Sequence, residues 1–316
     1  MDGIVAQGHG AELAHPAAVA DMIEAYLAEA DVRETSRASY RRALRNYTAW
    51  LADEGVPVEQ TTRAHVMAYK RHLGEAYSAA TQSAYLVAVR GLYAWLDAHG
   101  LYPNVAAGIK GAKRSGQSAR DALTVEQARA IVADDPETQR GKRDHAMLNL
   151  MLRRGLRTVE IARANVGDLR QMGGEAVLFV QGKGHDAADD YVILGEAVLQ
   201  PINDYLATRS DLEDGAPLFA AIGNRNAGGR MTTRSISRIV QDAYRAHGIV
   251  SPRITAHSLR HTAVTFALKG GATVQEAQGM ARHGNVSTTM IYAHNLERMA
   301  ARAEHGVDAI LAGGTV

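Results

Sequence analysis

The sequence predicts a mainly α-helical protein with two domains. A four-helix N-terminal domain precedes a mostly helical α+β domain that contains a small antiparallel sheet. The length of 316 residues exceeds the roughly 100–200 residues of a typical domain. Apolar residues recur at helical spacing along most of the chain. Residues 103–120 contain one proline, three glycines, two serines and four basic side chains, which is the composition of a basic linker between the two domains.

Four amphipathic helices are predicted in residues 16–102, after a small and polar segment, residues 1–15, that we expect to be flexible. Each helix has an apolar stripe on one face, and four such helices suffice for a compact bundle. The stripes consist of Val19, Met22, Ile23, Tyr26 and Leu27; Tyr40, Leu44, Tyr47 and Leu51; Val66, Tyr69 and Leu73; and Tyr85, Leu86, Val89, Leu92, Tyr93 and Leu96.

Residues 121–316 combine helices with a few strands. A capping box begins this region, and Gly155 ends a strongly apolar helix. Two short apolar runs on either side of a glycine-containing turn predict a hairpin. The predicted strands are Glu175–Gln181 and Asp190–Leu194, and the predicted helices are 143–154, 196–208, 232–246, 257–268, 273–281, 286–293 and 296–311. The last of these helices belongs to a predicted C-terminal tail, 295–316.

Positive charge is unevenly distributed, although the formal net charge of the chain is only +1. That balance by itself argues against a nucleic-acid or membrane partner. The second helix, however, has four arginines and no acid between residues 35 and 52, and residues 215–272 contain eight basic residues and one acid. Each cluster alone is consistent with a solvated surface, but together with the basic linker they favour binding to a phosphate backbone. The candidate DNA-contacting residues are Arg37, Arg41, Arg42, Arg45, Lys113, Arg114, Arg230 and Arg234.

The chain contains no cysteine, which excludes disulfides, cysteine nucleophiles and thiolate metal sites. Its first ten residues lack the basic start and apolar core of a signal peptide. No apolar run approaches the roughly 18 residues that a membrane helix needs. We therefore expect a soluble, cytoplasmic protein with no membrane partner.

A histidine and an arginine three residues apart, His257 and Arg260, open a predicted helix and share one of its faces. Such a pair can hold a proton and bind an oxyanion, although most pairs of this kind are structural. His261 follows His257 at the spacing of a two-histidine zinc site. Position 258 is serine where zinc hydrolases of that type have glutamate, and no third ligand is evident, so the sequence argues against a metal.

Three further segments carry candidate residues. Arg157 lies where one helix ends and another begins, and Glu160 is placed to pair with it if the arginine is not simply exposed. Lys183 lies in a Gly-Lys-Gly turn, which is either an exposed hairpin tip or a mobile arm that brings an ammonium group to a leaving group. Tyr292 follows His283 by nine residues in an apolar helix. A tyrosine in such a helix is usually a core residue. To act as a nucleophile, a phenol with a pKa of about 10 needs a base that takes its proton or nearby cations that stabilise the transition state.

These pieces, in this order, resemble the tyrosine recombinase (lambda-type phage integrase) family. The family pattern is Gly-Leu-Arg-x-x-Glu, a hairpin lysine, His-x-Leu-Arg-His-Thr, Leu-Gly-His and, after a short spacing, Tyr-x-His. The similarity extends to the layout of a helical core-binding (SAM-like) DNA-binding domain, a basic linker and a catalytic domain, as in simple two-domain, Xer-like members. The matching residues are Arg157, Lys183, His257, Arg260, His283 and Tyr292.

The resemblance implies a site-specific recombinase that cleaves and rejoins duplex DNA. Cleavage would proceed through a 3′-phosphotyrosyl intermediate and strand exchange through a four-way junction, with no metal or other cofactor. The implied roles are nucleophile for Tyr292, phosphate ligands for Arg157, Arg260 and His283, proton acceptor for His257, general acid for Lys183, and orientation of Arg157 for Glu160.

The same resemblance implies the partners. We expect duplex DNA with inverted-repeat core sites, bound by a homotetramer whose subunits are monomers or weak dimers when free. The C-terminal tail is expected to dock on a neighbouring subunit. Because only fifteen residues precede the first predicted helix in this sequence, we expect no additional N-terminal domain. The sequence leaves open the need for accessory DNA-bending proteins, the recognition sequence, and a chromosomal or mobile-element origin.

Two departures from the family pattern stand out. Ala281 and Arg282 replace the usual Leu-Gly before His283, which adds a charge beside the site. The hairpin after Lys183 carries aspartates at positions 186, 189 and 190, where a basic segment is usual. These carboxylates would repel a nearby DNA backbone.

Three other functions are consistent with parts of the pattern. A type IB topoisomerase shares the chemistry but acts as a monomer on one duplex, whereas the N-terminal bundle and the tail favour recombination. A DNA-binding regulator with a disused site would tolerate Tyr292→Phe without loss of activity. A metal-dependent nuclease would lose its activity to a chelator.

Overall fold

The chain folds into two compact units, Met1–Ser115 and Gly116–Val316. Within the described ranges, no helix is long and apolar enough to cross a membrane. The predicted fold class is confirmed, because the described residues form mainly helices with a small antiparallel sheet in the second unit. The structure, a computed structural model, describes residues 16–112, 121–182, 187–223, 226–301 and 310–312.

The described part of the first unit is a bundle of α-helices: α1 (Pro16–Glu29), α2 (Glu34–Asp53), α3 (Arg63–Ala76) and α4 (Ala79–Ala98), with a short 3-10 helix at Val58–Gln60. The apolar stripes predicted from the sequence face a common core. Leu44, Tyr47, Tyr69 and Tyr93 are completely buried in it. The hydroxyl groups of Tyr47 and Tyr93 lie 3.0 Å apart and hydrogen-bond each other, so that two polar atoms are satisfied inside an apolar core.

The helices of the second unit are α5 (Val125–Val132), α6 (Gln139–Arg154), α7 (Thr158–Arg163), α8 (Glu196–Leu206), α9 (Thr233–Ala246), α10 (Ala256–Lys269), α11 (Val274–Ala281) and α12 (Val286–Ala301), with a 3-10 helix at Val166–Asp168. The helix α6 is central. Every residue from Ala146 to Leu152 is buried, because α8 and α10 both pack against it. The predicted capping box forms at Thr124 and Gln127, at the start of α5.

The sheet consists of three antiparallel strands in the order β1 (Leu169–Met172), β2 (Glu175–Val180) and β3 (Asp190–Ile193). The strand β2 is central, since Leu178 pairs with Leu169 on one side and with Val192 on the other. The apolar runs of the sequence predict β2 and β3 but do not indicate β1. Only the first residue of β1 is partly buried and the other three are exposed, so this edge strand has too weak an apolar pattern to be detected.

The helix α12 differs from the prediction. The sequence predicts two helices, 286–293 and 296–311, but α12 continues without a break from Val286 to Ala301. No glycine or proline occurs between residues 286 and 301, so the polar pair at 294 and 295 weakens the apolar pattern without interrupting the helix. The predicted tail is described only at 295–301 and 310–312.

Gly155 ends α6 in a left-handed conformation, with φ of 64° and ψ of 27°. We expect Gly155→Ala to lower the free energy of unfolding of the second unit by about 1 kcal/mol, because a Cβ disfavours this conformation. The atoms that the new Cβ would meet are at ordinary contact distance. The matched control is Gly279→Ala in α11, where the added Cβ meets open space. Alanine should stabilise that helix by a similar amount. Urea unfolding followed by circular dichroism measures both changes, and a stabilising effect of Gly155→Ala would contradict this account.

Candidate active site

Five of the six residues predicted to carry the chemistry come from four separate segments of the second unit. Arg157 precedes α7, His257 and Arg260 lie in the first turns of α10, His283 follows α11, and Tyr292 lies in α12. The helices α10, α11 and α12 pack against one another, and α10 also packs on α6. This packing brings segments that are distant in the sequence into one region.

A buried glutamate joins two arginines of this region. Glu160 of α7 is completely buried, and its Oε1 accepts a hydrogen bond from Nη1 of Arg157 at 2.6 Å. Its Oε2 accepts from the backbone N–H of Arg157 at 2.7 Å and from Nη2 of Arg282 at 2.9 Å. Burial raises the pKa of Glu160, but the charge of Arg282 and the hydrogen bonds from both arginines outweigh it and hold the pKa below its ordinary value. Glu160 is therefore an ionised carboxylate fixed between two guanidinium groups.

Arg260 is 1% exposed, which is rare for an arginine. Its Nη1 donates to the carbonyl oxygen of Gly155 at 2.6 Å, and its Nη2 donates to that of Ala281. Its Nε is buried and has no hydrogen-bond partner among the described residues. The backbone at the C-terminal ends of α6 and α11 thus fixes this guanidinium group in place.

Arg157, His257 and Arg260 line one cavity of about 500 Å³. The helix α9 adds Ser237 and Gln241 to its lining. The side chain of Arg157 is 24% exposed, and His257 is also exposed. The cavity therefore offers two guanidinium groups and an imidazole to one ligand, and such groups recognise phosphate oxygens well.

The ring of Tyr292 lies near two histidine rings. Its centroid is 4.5 Å from that of His261, which it meets at 61°, and 6.3 Å from that of His283, to which it is nearly parallel at 17°. The Nδ1 of His283 lies 2.8 Å from Oγ1 of Thr289, which is buried in the same helix as Tyr292. Tyr292 itself is 9% exposed. These contacts restrict the orientation of the phenol.

Positive charge accumulates in this region. The guanidinium groups of Arg157, Arg260 and Arg282 lie in this region, and the carboxylate of Glu160 pairs with two of them. Burial, followed by the charge of Arg157, lowers the pKa of Arg260 to about 9. Burial, followed by the charges of Arg260 and Arg157, lowers the pKa of His283 to about 4, so this imidazole is neutral at neutral pH. An anionic ligand such as a phosphodiester would balance the excess charge.

The candidate DNA-contacting residues differ in how available their side chains are. Arg41 forms a bidentate ion pair with Glu24, with distances of 2.6 and 2.7 Å. Arg230 donates to the carbonyl oxygen of Ala162 at 2.9 Å, near the end of α7. Both arginines are therefore engaged in the protein's own structure. Arg37 lies 3.6 Å from Glu34, while Arg42, Arg45 and Arg234 are exposed. Lys113, Arg114 and Lys183 lie outside the described residues.

Three residues of this region are not among those predicted from the sequence: Arg282, His261 and Thr289. The sequence does indicate that position 282 is unusual, because it has an arginine where the family pattern has glycine. Nothing in the sequence indicates that His261 faces Tyr292, because that contact depends on the packing of α10 against α12. Within the described ranges, no three histidine, aspartate or glutamate side chains gather as a metal site would require.

Most of the chain is similar to known phage integrases and tyrosine recombinases. Residues 121–299 match the phage integrase family, and residues 21–100 match the N-terminal SAM-like domain of phage integrases. The tyrosine recombinase XerC of Pelobacter propionicus is 32% identical over 268 residues, which cover 83% of this chain and 85% of that protein.

Two solved structures share the fold. The XerH site-specific recombinase bound to palindromic difH substrate, in a post-cleavage complex, has a TM-score of 0.70 at 18% identity and covers 85% of this chain and 80% of that chain. A lambda integrase tetramer bound to a Holliday junction has a TM-score of 0.67 at 16% identity and covers 87% of this chain and 76% of that chain.

We expect Glu160→Gln to lower the free energy of unfolding of the second unit by about 3–5 kcal/mol at pH 7, because two guanidinium groups lose a buried anionic partner. The pKa of Glu160 is lowered in the folded state. Its contribution is therefore complete above the ordinary value of 4.5 and is lost as the pH falls through the lowered value. Urea unfolding at several pH values measures the difference between wild type and variant, which should shrink below pH 4.5.

The control for this measurement is Glu276→Gln, at the exposed start of α11, where glutamine can replace the carboxylate in a capping box. This variant should remain close to the wild-type protein in stability. A difference between wild type and Glu160→Gln that stays constant across the acid range would contradict the assignment of an ionised Glu160.

Proposed function

The chain belongs to the phage integrase family, and we propose that it is a site-specific DNA recombinase. It cleaves and rejoins duplex DNA through a 3′-phosphotyrosyl intermediate and exchanges strands through a four-way junction. In this proposal residues 16–102 form the core-binding DNA-binding domain, residues 103–120 the basic linker and residues 121–316 the catalytic domain.

One observation carries this proposal: a tyrosine lies beside a group of arginines and histidines that the fold assembles from distant segments. Tyr292 stacks near His283, and it is among the groups that act on the pKa of Arg260, which it raises. A tyrosine that served packing alone would not need cations around it, since burying a guanidinium group is unfavourable without a partner. An attacking phenol needs such cations, because they stabilise the charge that develops on the phosphate.

The phenol oxygen of Tyr292 attacks the scissile phosphorus in line with the leaving oxygen. The bond between the phenol oxygen and phosphorus forms while the bond between phosphorus and the 5′ oxygen breaks. The phenol gives its proton to a base, and the 5′ oxygen takes a proton from an acid. The phosphotyrosyl bond conserves the energy of the phosphodiester, so a 5′-hydroxyl from a partner strand can reverse these steps without ATP.

Arg157 and Arg260 bind the non-bridging oxygens, which gain negative charge in the transition state. Each Nη of Arg260 uses one N–H on a backbone carbonyl, and the second N–H of each remains for a phosphate oxygen. His283 adds a neutral donor, because its pKa is about 4. We assign the hydroxyl of Thr289 as the donor to Nδ1 of His283, which lies 2.8 Å from it. In this tautomer the imidazole carries its proton on Nε2, from which it can bind the phosphate.

His257 and Lys183 move the protons. His257 lines the same cavity as Arg157 and Arg260 and accepts the proton of the phenol. Lys183, which lies between β2 and β3 in the sequence, protonates the leaving 5′ oxygen; its assignment depends on the family pattern. Together with the phosphate ligands, these residues supply every group that the reaction needs, so we propose no cofactor.

The partner is duplex DNA with inverted-repeat core sites, bound by a homotetramer that dissociates to monomers or weak dimers when free. The similar XerH structure is bound to a difH substrate, and the similar lambda integrase structure is a tetramer on a Holliday junction, which supports this proposal. Arg42 and Arg45 of α2 and Arg234 of α9 are exposed and would contact phosphates. We place the reaction in the cytoplasm, as predicted from the sequence.

A nicked suicide substrate tests the proposal. When the nick lies beside the cleavage site, the short strand with the new 5′-hydroxyl diffuses away and the covalent complex accumulates. We expect the wild-type chain, mixed with a pool of nicked duplexes of randomised core sequence, to form an adduct that survives SDS. Sequencing the trapped DNA then identifies the site. Tyr292→Phe should bind DNA but form no adduct, because it lacks the attacking oxygen.

The matched control is Tyr205→Phe, which removes the hydroxyl of another buried tyrosine, one that accepts a hydrogen bond from the backbone of Ala220. This variant should still form the adduct. Retained DNA binding with no adduct in the wild-type protein would indicate a DNA-binding regulator and refute the proposal. If the protein relaxes supercoiled plasmid but forms no four-way junctions between paired sites, this result would indicate a type IB topoisomerase.

Salt dependence tests the role of α2. We expect the double substitution Arg42→Gln, Arg45→Gln to weaken binding to all sequences alike. It should also reduce the slope of log K against log salt concentration by about two, since each phosphate contact contributes roughly 0.9. Fluorescence anisotropy between low and moderate salt measures this slope. Arg129 is an exposed arginine of α5 that lies outside the two basic clusters, residues 35–52 and 215–272. The control variant Arg129→Gln should leave the slope unchanged. An unaltered slope in the double variant would show that these two arginines of α2 do not contact the DNA phosphates.

A further inference from the structure

Arg282 ends α11 in a left-handed conformation, with φ of 50° and ψ of 50°. It is the one residue other than glycine with a positive φ in the described part of the chain. Glycine is favoured at such helix ends because a Cβ crowds the following carbonyl oxygen. An arginine in this conformation therefore requires a compensating interaction of its side chain.

The side chain of Arg282 turns inward, and 6% of it is exposed. Its Nη1 donates to the carbonyl oxygen of Met280 at 2.7 Å, and its Nη2 donates to Oε2 of Glu160 at 2.9 Å. An arginine with no role at a helix end would extend into water. This one forms an ion pair with a completely buried carboxylate.

Arg282 is linked to Arg157 in two ways. Both arginines bind the carboxylate of Glu160, one through each oxygen. In addition, Nη2 of Arg157 donates to the backbone carbonyl oxygen of Arg282 at 3.1 Å. The plane of the Arg157 guanidinium group is therefore set by Glu160 on one side and by the left-handed turn at Arg282 on the other.

The charges show why a second cation matters. With Glu160 as its sole partner, Arg157 would belong to a neutral pair, and its attraction for a phosphate would be largely cancelled. With Arg282 on the same carboxylate, the group of three carries a net positive charge. Arg282 is also among the groups that lower the pKa of His283 and of Arg260, which agrees with its closeness to both.

We propose that Arg282 is a positioning residue for DNA cleavage, which fixes Glu160 and the Arg157 guanidinium group and keeps the positive charge of Arg157 available to the scissile phosphate. This inference rests on the proposed function of the site. It assigns a role to a residue at which the chain departs from the family pattern.

The test compares Arg282→Gly and Arg282→Lys. Glycine suits the backbone conformation, so Arg282→Gly should fold. It should slow formation of the Tyr292 adduct by about tenfold to hundredfold, less than the loss of a donor that touches the phosphate itself. Lysine keeps the positive charge but lacks the planar guanidinium group that donates two parallel hydrogen bonds. Arg282→Lys should therefore recover part of the rate of adduct formation. Arg209→Gln is the control, because Arg209 is equally buried and ion-paired, with Asp211, but lies outside the site.

A charge-neutral substrate separates this role from damage to the fold. When a methyl group replaces one non-bridging oxygen of the scissile phosphate, the phosphate has no negative charge for Arg157 to bind. On this substrate the rate of adduct formation by the wild-type protein, divided by the rate of Arg282→Gly, should approach one. The same ratio for Arg157→Ala should also approach one. Equal losses on the phosphate and the methylphosphonate, or full activity of Arg282→Gly on both, would overturn the inference.

NMR of the free protein gives a readout that does not need cleavage. In Arg282→Gly the pKa of Glu160, followed by carbon-13 labelling of the carboxyl groups, should rise because one cation is lost. The pKa of His283 should rise for the same reason, whereas Arg282→Lys should preserve both. Unchanged pKa values would overturn the inference. Absence of any adduct in the wild-type protein would instead overturn the proposed function, and the NMR result would still decide whether Arg282 sets the charge at Glu160.

Discussion

The candidate site depends on one ionised carboxylate inside the core of the second unit. Glu160 accepts hydrogen bonds from the backbone and side chain of Arg157 and from the side chain of Arg282. Without this anion, like charges would be held close together in a region of low dielectric constant, where their repulsion is strong. The carboxylate therefore permits a concentration of positive charge that the fold alone could not maintain, and it joins the start of α7 to the end of α11.

Two arginines of the candidate site, Arg260 and Arg282, are buried side chains, which couples the site to folding. Arg260 is held by carbonyl oxygens at the ends of α6 and α11, so its position depends on the folded arrangement of these two helices. Burial lowers its pKa to about 9, so its charge is maintained against an unfavourable environment. A site of this kind is rigid before its ligand arrives, and rigid donors need little reorganisation in the transition state.

Most of the fold could be predicted from the sequence because helical periodicity is strong, and that fold brings together five of the six residues predicted to carry the chemistry. The rest depended on weaker or non-local signals. The strand β1 is an exposed edge, and the polar pair within α12 imitates a break in the helix. The contact of His261 with Tyr292 and the ion pair of Arg282 with Glu160 join residues far apart in sequence. Periodicity reports which face of a helix is buried, but not what that face meets.

The left-handed turn at Arg282 also has a consequence for how this site can change over generations. Every arginine codon is a single base change from a glycine codon, and the backbone at this position already has the conformation that glycine prefers. The chain can therefore acquire or lose the additional guanidinium group in one mutational step, without passing through a misfolded intermediate. In the role that we propose for Arg282, one such step would change the strength of phosphate binding without changing the residues assigned to the reaction.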